Sequence, residues 1–261
     1  MVDAGVGVEV GAAETVKLRD IAPELPQAMM DKLTYAIENF KWREINAYVT
    51  EEHVFRRSYW NIASFYYGTA GRIVLDIFKE YEVLAEAFVL HCLQNEDMIG
   101  EPLKALLVGE IATGPSQAFL RPITLRSFTN AAYEHTPTTT GKYNLIPTTS
   151  GSETATTKEQ GWLIMGWYEP YARVVIPYDE IQVTLSDSEA TRRPLYTKGK
   201  DIGVDGNNML VFKEATPKIV EPGGTLDVDV YIRTPNIKFG LWPIGIEVIR
   251  ADSSKAAGPT S

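Results

Sequence analysis

An alternating stretch near the end of the chain, residues 225–233, constrains the fold more than any other feature of the sequence. Every second position in it is apolar, at Leu226, Val228, Val230 and Ile232. Successive side chains of a β-strand point to opposite faces, so this pattern predicts a strand with one face against a core. The side chains expected to face outward are those of Asp227, Asp229, Tyr231 and Arg233.

The rest of the C-terminal half repeats this type of segment. Strands are predicted after Gly161 over residues 162–168, 172–176, 181–185, 209–212, 225–233 and 244–249. Turn-forming residues separate nearly all of them, such as the Pro-Gly-Gly run that precedes residue 225. Short strands without intervening helices predict a mainly β protein, with an antiparallel β-sandwich or jelly roll in the C-terminal half.

Helices are predicted in the N-terminal part. Over residues 26–40 the apolar side chains recur at helical spacing, at Met29, Leu33, Ile37 and Phe40. A second helix is predicted to begin after Thr50, a typical N-cap residue, and to end near Gly68. Its apolar face would consist of Phe55, Tyr59, Ile62 and Tyr66.

The segment between residues 71 and 128 has no clear period. Residues 72–78 are rich in Ile and Val, and β propensity favours a strand there. Residues 83–93 also contain Ala and Glu, so strand and helix both stay open for them. Residues 103–111 and 118–128 are predicted to be further short strands.

Composition changes along the chain and predicts five regions. Residues 1–20 are interpreted as a flexible arm, or as a strand that orders only against a partner, and residues 251–261 as a flexible tail. Between them lie a mixed helix and strand region at 21–135, a Thr/Ser-rich loop or linker at 136–160, and the antiparallel sandwich region at 161–250. Residues 136–160 are either an exposed functional loop or the boundary between two parts.

Charge limits the partners of the chain, since its formal net charge is -9 and its pI is ≈ 5.0. A negative field disfavours contact with nucleic acid or an anionic membrane, and the first basic residue is Lys17. No direct nucleic-acid binding is therefore expected. The sequence also lacks a run of about 20 apolar residues and a basic segment before an apolar one, so neither a membrane span nor a signal peptide is predicted.

The residues that could carry chemistry do not form a recognisable motif, and we predict no enzyme activity, cofactor or metal. The chain has one cysteine, Cys92, which is expected to be a small buried apolar residue. An acid/base site would have to use Glu134, His135, Asp227 or Asp229. The two aspartates share a strand face and could also bind calcium, although alternating charge on the solvent side of a strand is commoner.

Aromatic residues are concentrated after the Thr-rich segment, at Trp162, Trp167, Tyr168 and Tyr171. Such rings could form an exposed ligand platform for carbohydrate, or an interface with another protein, because Trp and Tyr bury a large area at small entropic cost. Filling of the core is the expected fate of at least half of the aromatic residues.

One part of the sequence resembles a known class of proteins. Residues 217–232 read Pro-Lys-Ile-Val-Glu-Pro-Gly-Gly-Thr-Leu-Asp-Val-Asp-Val-Tyr-Ile, and residues 242–249 read Trp-Pro-Ile-Gly-Ile-Glu-Val-Ile. This succession of turn and strands resembles the closing strands of β-sandwich virion proteins, including single jelly-roll capsid proteins. The resemblance covers roughly residues 160–250 and implies no particular site residues.

Besides this resemblance, four features predict a non-enzymatic, self-assembling structural protein, namely a virus capsid protein or another virion component. They are the flexible termini, the lack of a catalytic motif, the many aromatic residues and the lack of a secretion signal. The partners of such a protein would be copies of itself and other virion proteins. Its location would be the virion or another extracellular assembly, reached without a cleavable signal peptide, or the cytoplasm if the chain is not a capsid protein. The alternative hypothesis is a carbohydrate- or receptor-binding β-sandwich module.

Overall fold

The structure is a computed structural model that describes residues 18–39, 52–94, 118–149, 151–154, 159–171, 176–185, 191–194, 202–204 and 210–250. Three long helices come first within these ranges: α1 (Gln27–Asn39), α2 (Glu52–Ala70) and α3 (Ile73–Gln94). The strands that follow are β1 (Ala118–Pro122), β2 (Gly141–Ile146), β3 (Glu153–Thr154), β4 (Gln160–Glu169), β5 (Tyr178–Leu185), β6 (Thr191–Pro194), β7 (Ile202–Val204), β8 (Leu210–Val220), β9 (Thr225–Ile232) and β10 (Trp242–Arg250).

The strands form two antiparallel sheets. The first sheet has the order β1-β10-β4-β8-β7, and the second has the order β2-β9-β5-β6, with β3 also paired to β9. The two sheets pack face to face through a common apolar core. The predicted fold class, N-terminal helices with an antiparallel β-sandwich in the C-terminal half, is therefore confirmed.

The first sheet is the middle layer of the molecule, between the helices and the second sheet. Along β4, Leu163 and Met165 belong to the core shared with the helices, whereas Trp162 and Ile164 belong to the core between the sheets. Every residue of β4 is buried. A strand covered on both faces has no solvent side, which explains why residues 162–168 are apolar without alternation.

The alternating strand lies in the second sheet as predicted. Leu226, Val228, Val230 and Ile232 of β9 are buried between the sheets, at 3% exposure or less. The outward positions of β9 differ from the expectation at one residue. Asp229 is buried, at 1% exposure, although it faces away from the sandwich core.

The helix predictions hold for α1 and α2. In α1 the buried residues are Met30, Leu33 and Ala36, so the apolar face is rotated slightly from the predicted one, and Phe40 lies outside the described residues. In α2 the predicted face of Phe55, Tyr59, Ile62 and Tyr66 is buried. Thr50, the predicted N-cap residue, also lies outside the described part of the chain.

The predicted strand at residues 72–78 is wrong, because Ile73–Gln94 forms the single helix α3. Its C-terminal half packs between α1 and β4 and is buried almost all round. Residues 83–93, for which strand and helix both stay open from the sequence, lie in that half, where burial on several sides removes the polar stripe that marks an amphipathic helix. Contacts in the tertiary structure override the β propensity of Ile73, Val74 and Ile77.

Tyrosine hydroxyl groups join the helices to the first sheet. The Tyr66 hydroxyl donates to Ile123 O at 2.6 Å and accepts from Gly245 N at 3.3 Å, and the Tyr81 hydroxyl donates to Glu214 O at 2.6 Å. Gly245 lies at a β-bulge, where an added Cβ would be 2.0 Å from Leu163 O. Only glycine fits at this position, because the backbones of β10 and β4 are in direct contact.

The Thr/Ser-rich segment at residues 136–160 contributes to the second sheet through β2 and β3, both of which pair with β9. The predicted strand at 118–128 is β1 followed by a 3-10 turn, Leu125–Ser127. The predicted strand at 103–111, most of the one at 172–176, and the segments 1–17 and 251–261 lie outside the described residues.

Candidate functional site

Three chain segments meet at one end of the sandwich. The loop before β2 and the loop before β10 are joined by paired backbone hydrogen bonds between His135 and Phe239, at 2.8 and 2.9 Å. The loop after β4 lies beside them. We call this surface the aromatic end and define it by Tyr133, Tyr171 and Trp242 with the charged pair Glu134 and Lys238.

Two rings of the aromatic end contact each other and continue into the core. Tyr133 is 51% exposed, and its ring packs edge to face with that of Trp242 at 5.2 Å between centroids. The Trp242 indole N–H donates to Tyr133 O at 3.0 Å. On its inner side Trp242 packs edge to face with the buried ring of Tyr168, at 5.3 Å. The surface ring of Tyr133 is thereby held in place by buried structure.

Opposite charges lie beside the third ring. Lys238 Nζ is 2.5 Å from Glu134 Oε2 and 5.3 Å from the centroid of the Tyr171 ring. The Tyr171 hydroxyl donates to Glu134 Oε1. Contact with Lys238, and then with Tyr171, lowers the pKa of Glu134 below its usual range. Because Glu134 and Lys238 are both about half exposed, solvent screens this pair and it contributes little to folding stability.

Gly240 allows the loops of the aromatic end to approach one another. An added Cβ would lie 2.9 Å from Tyr133 O, 3.1 Å from Trp242 Nε1 and 3.2 Å from Pro170 Cγ. The Gly240 N–H donates to the buried carboxylate of Glu169 at 3.1 Å. The rings are therefore positioned by a close backbone contact, and a larger residue at 240 would separate them.

The predicted acid/base residues do not form a site. Glu134 is exposed and contacts Lys238, whereas His135 is buried and its Nδ1 lies 3.2 Å from the Tyr143 hydroxyl. Burial lowers the pKa of His135, so the imidazole is neutral at physiological pH. Asp229 lies in the second sheet, where its ion-pair partner is Lys142. Glu134, His135 and Asp229 thus each contact a different side chain.

The predicted ligand platform requires correction, because Trp162, Trp167 and Tyr168 are buried, at 0%, 1% and 5% exposure. All three belong to β4, which is covered by the helices on one face and by the second sheet on the other. Tyr171 is the member of the predicted set that reaches the surface. A ligand could reach the three buried rings only if the layers separated.

Buried carboxylates accept hydrogen bonds from the polar groups of buried aromatic side chains. The Trp162 indole donates to Glu247 at 3.2 Å, and the Trp167 indole donates to Glu214 at 2.7 Å. The Tyr178 hydroxyl donates to Glu169 at 3.0 Å. Since a buried indole or phenol usually needs a hydrogen-bond partner, these glutamates complete the core rather than form a reactive site.

Glu247 has the most extensive set of contacts. It is fully buried and accepts hydrogen bonds from Gln160 at 2.6 Å and from Ser127 at 2.8 Å, besides the bond from Trp162. Arg121 Nε lies 2.6 Å from its Oε2. Donors from β1, β4 and the 3-10 turn thus converge on one side chain of β10.

His91 and Cys92 do not form a reactive pair. His91 Nε2 is 2.6 Å from Glu221 Oε1, and Lys32 Nζ is 2.8 Å from the same carboxylate. These three side chains join α3, α1 and the turn after β8. The Cys92 thiol is buried against β4, and burial raises its pKa well above the usual value. The prediction of a buried apolar cysteine is confirmed.

In the part of the chain that the structure describes, no group of three or more His, Cys, Asp or Glu side chains is arranged to hold a metal ion. None of the helices in this part has both the length and the hydrophobicity needed to cross a bilayer.

Sequence reasoning missed Tyr133 and Lys238 and did not connect Trp242 with Tyr171. Their positions in the sequence are far apart, and only the pairing of His135 with Phe239 brings the two loops together. A sequence signal existed at Gly240, which directly precedes Leu-Trp and lies four residues before the predicted strand at 244–249. A glycine there allows a close backbone approach, but the sequence does not indicate which loop approaches it.

Comparison with known proteins gives no family assignment. No protein-family model matches the chain, and no curated protein matches it. Among solved structures the chain is similar to dimeric latent PorU from Porphyromonas gingivalis, with 12% identity, over 52% of this chain and 12% of that chain, at a TM-score of 0.19. A similarity at this level carries no argument about fold or function.

Proposed function

We propose that the chain is a non-enzymatic structural protein that self-assembles, and more specifically a virus capsid protein or other virion component. The observation that carries this proposal is the aromatic end, where Tyr133, Tyr171 and Trp242 lie at the surface of a β-sandwich. The ionisable groups inside the molecule support it as well, because Glu169, Glu214 and Glu247 bind donors of the scaffold.

The aromatic end has the properties of a protein interface. Tyr133 is half exposed yet already fixed by the Trp242 ring, so little conformational entropy is lost when a partner covers it. Tyr and Trp are the residue types that contribute most binding energy at interfaces. Glu134 and Lys238 place both signs of charge side by side, and such a surface is complementary to a second copy of itself around a two-fold axis.

Light scattering coupled to size-exclusion chromatography, followed by electron microscopy of the eluted particles, tests the assembly. We expect the wild-type chain to form oligomers or particles whose mass rises with concentration. The association of a Tyr133→Ser variant should be weaker by at least about tenfold, since interface aromatic residues contribute about 1–2 kcal/mol or more.

The matched control is Tyr67→Ser, which removes an equally exposed tyrosine, at 51%, from α2. It should associate like the wild type if the aromatic end is the interface. Loss of association in the control alone would place the interface on the helices instead. A chain that stays monomeric at every concentration would contradict the proposed function.

A carbohydrate- or receptor-binding module is the second candidate, and the same surface favours it. Exposed rings next to paired charges suit a sugar, which stacks on an aromatic face and hydrogen-bonds to polar side chains. Glycan-array binding by the wild-type chain that is lost in Tyr133→Ser and kept in Tyr67→Ser would support this function. A Trp167→Ala variant is unsuitable for the test, because that ring is buried and bonded to Glu214.

A further inference from the structure

The outward face of the second sheet contains a row of oxygen-bearing side chains. Asp229 on β9 is directly opposite Asn144 on β2 and Gln182 on β5 in the strand register. Side chains at opposed positions of neighbouring strands lie on the same face and close together. We call these three residues the Asp229 row. Asp227 lies two positions along β9 on the same face.

Two members of the row are buried and have an acceptor oxygen that lacks a donor. Asp229 is 1% exposed and Gln182 is 8% exposed. The Asp229 oxygen Oδ1 and the Gln182 amide oxygen Oε1 are inaccessible, and no described donor forms a hydrogen bond with either of them. Buried acceptors in folded proteins are nearly always matched by a donor or a cation, so the row requires an additional partner.

Lys142 is the nearest counter-charge but does not fulfil this requirement. Its Nζ lies 2.7 Å from Asp229 Oδ2, and this contact raises the pKa of Lys142, but it leaves Asp229 Oδ1 and Gln182 Oε1 without a donor. The Lys142 side chain is 49% exposed. One ammonium group faces the two carboxylates of Asp227 and Asp229. Burial, and then the charge of Asp229, raise the pKa of Asp227, as expected where negative charge is in excess.

We propose that the Asp229 row, together with Asp227, binds a small oxygen-seeking cation of the Ca²⁺ type, which competes with the Lys142 ammonium group. The available ligand atoms are carboxylate and amide oxygens, which are the groups that Ca²⁺ prefers. The inference does not depend on self-assembly.

The expected affinity is modest. The row and Asp227 together supply two carboxylates rather than the three or more of a strong site, and among the described residues no group of three or more His, Cys, Asp or Glu side chains is arranged to hold a metal ion. A dissociation constant of about 0.1–1 mM is typical of calcium sites with few charged ligands. Mg²⁺ should bind more weakly, because it demands a strict octahedral arrangement and loses its water reluctantly.

Calorimetric titration of the full chain with CaCl₂, after treatment with EDTA and dialysis, tests the proposal. Asp229→Asn should weaken Ca²⁺ binding at least about tenfold, because it removes the buried charge. Lys142→Met should tighten Ca²⁺ binding about threefold to tenfold, because the competing cation is gone. If Asp229 and Lys142 had only a structural role, neither variant would change an affinity for Ca²⁺.

Asp20→Asn is the matched control, since it removes the same charge from an exposed position near α1 and should bind Ca²⁺ like the wild type. Circular dichroism of each variant verifies the fold. The proposal is overturned if neither the wild type nor Lys142→Met binds Ca²⁺ at millimolar concentration, which would leave bound water as the partner of the acceptors. Equal binding by the wild type and Asp229→Asn would also overturn it.

Discussion

Glu247 in the first sheet and Asp229 in the second are both buried carboxylates, but their surroundings differ. Glu247 accepts hydrogen bonds from four side chains, one of which, Arg121, also forms an ion pair with it. Asp229 has Lys142 as its ion-pair partner, and its Oδ1 has no described donor. Burial alone therefore does not reveal what a carboxylate does. A carboxylate whose oxygens all accept hydrogen bonds holds the scaffold together, whereas a buried carboxylate oxygen without a donor indicates a binding site.

The position of each residue explains the difference. Glu247 lies on β10, next to the central strand β4, where donors from several elements surround it. Asp229 faces outward from the second sheet, where its neighbours Asn144 and Gln182 are side chains of the sheet itself. The first sheet is covered on both faces and uses its polar residues internally. In the second sheet, Asp229 and Gln182 are buried on the outward face.

Replacement of Glu247 should have the largest effect. In Glu247→Ala the Arg121 charge and the buried groups of Gln160 and Ser127 lose their common acceptor, and breaking a buried pair in this way costs about 3–5 kcal/mol. The free energy of unfolding, measured by urea denaturation, should fall by that amount. The isosteric variant Glu247→Gln should lose less, since it keeps one acceptor oxygen. A loss below about 1 kcal/mol in Glu247→Ala would contradict the role assigned to this residue.

Protonation of a third carboxylate, Glu221, in acid should lower the free energy of unfolding. The loss should be smaller than that in Glu247→Ala and larger than the change in Asp229→Asn. The contacts of Glu221 with His91 and Lys32 lower its pKa from 4.5 to about 2, so the native state favours the charged form. A lowered native pKa gives stability that is complete above pH 4.5 and is lost as the pH falls towards 2. The full pKa difference corresponds to about 3 kcal/mol, and solvent screening at the half-exposed Lys32 reduces the expected loss to about 1–2 kcal/mol.

Urea denaturation at a series of pH values measures this loss of stability below pH 4.5, which we call the acid limb. The variant Glu221→Gln should flatten it between pH 4.5 and 2. The control Glu134→Gln changes an exposed carboxylate at the aromatic end and should leave most of the limb in place. An unchanged limb in Glu221→Gln would show that other carboxylates cause the loss of stability in acid.

The contrast between the two sheets also explains what the sequence could predict. The alternation at Leu226, Val228, Val230 and Ile232 identified the inner face of β9 because the other face carries polar residues. The same reasoning leaves strand and helix both open for residues 83–93, because this C-terminal half of α3 is buried on several sides and has no polar stripe. Periodicity is informative where an element has one buried face, and it is lost where two faces are buried.

The candidate sites could be predicted only in part. Tyr171 was identified from its cluster of aromatic residues, but its neighbours Tyr133 and Trp242 come from loops that meet only in the folded chain. Asp227 and Asp229 were identified as a pair on one strand face. Their burial depends on the register of β2 and β5 against β9, which no local pattern specifies.

The smallest effect on stability is expected at Asp229. In Asp229→Asn the buried charge disappears, and the new amide group can donate to Gln182 Oε1 on the opposite strand, whereas Lys142 remains hydrated because it is half exposed. We therefore expect the free energy of unfolding to change by less than about 1 kcal/mol, and the change to be stabilising when no cation is present. Urea denaturation with and without Ca²⁺ measures it, and Ca²⁺ should stabilise the wild type but not the variant. If Asp229→Asn instead lost as much stability as Glu247→Ala, Asp229 would be a scaffold residue like Glu247, and the distinction between the two sheets would not hold.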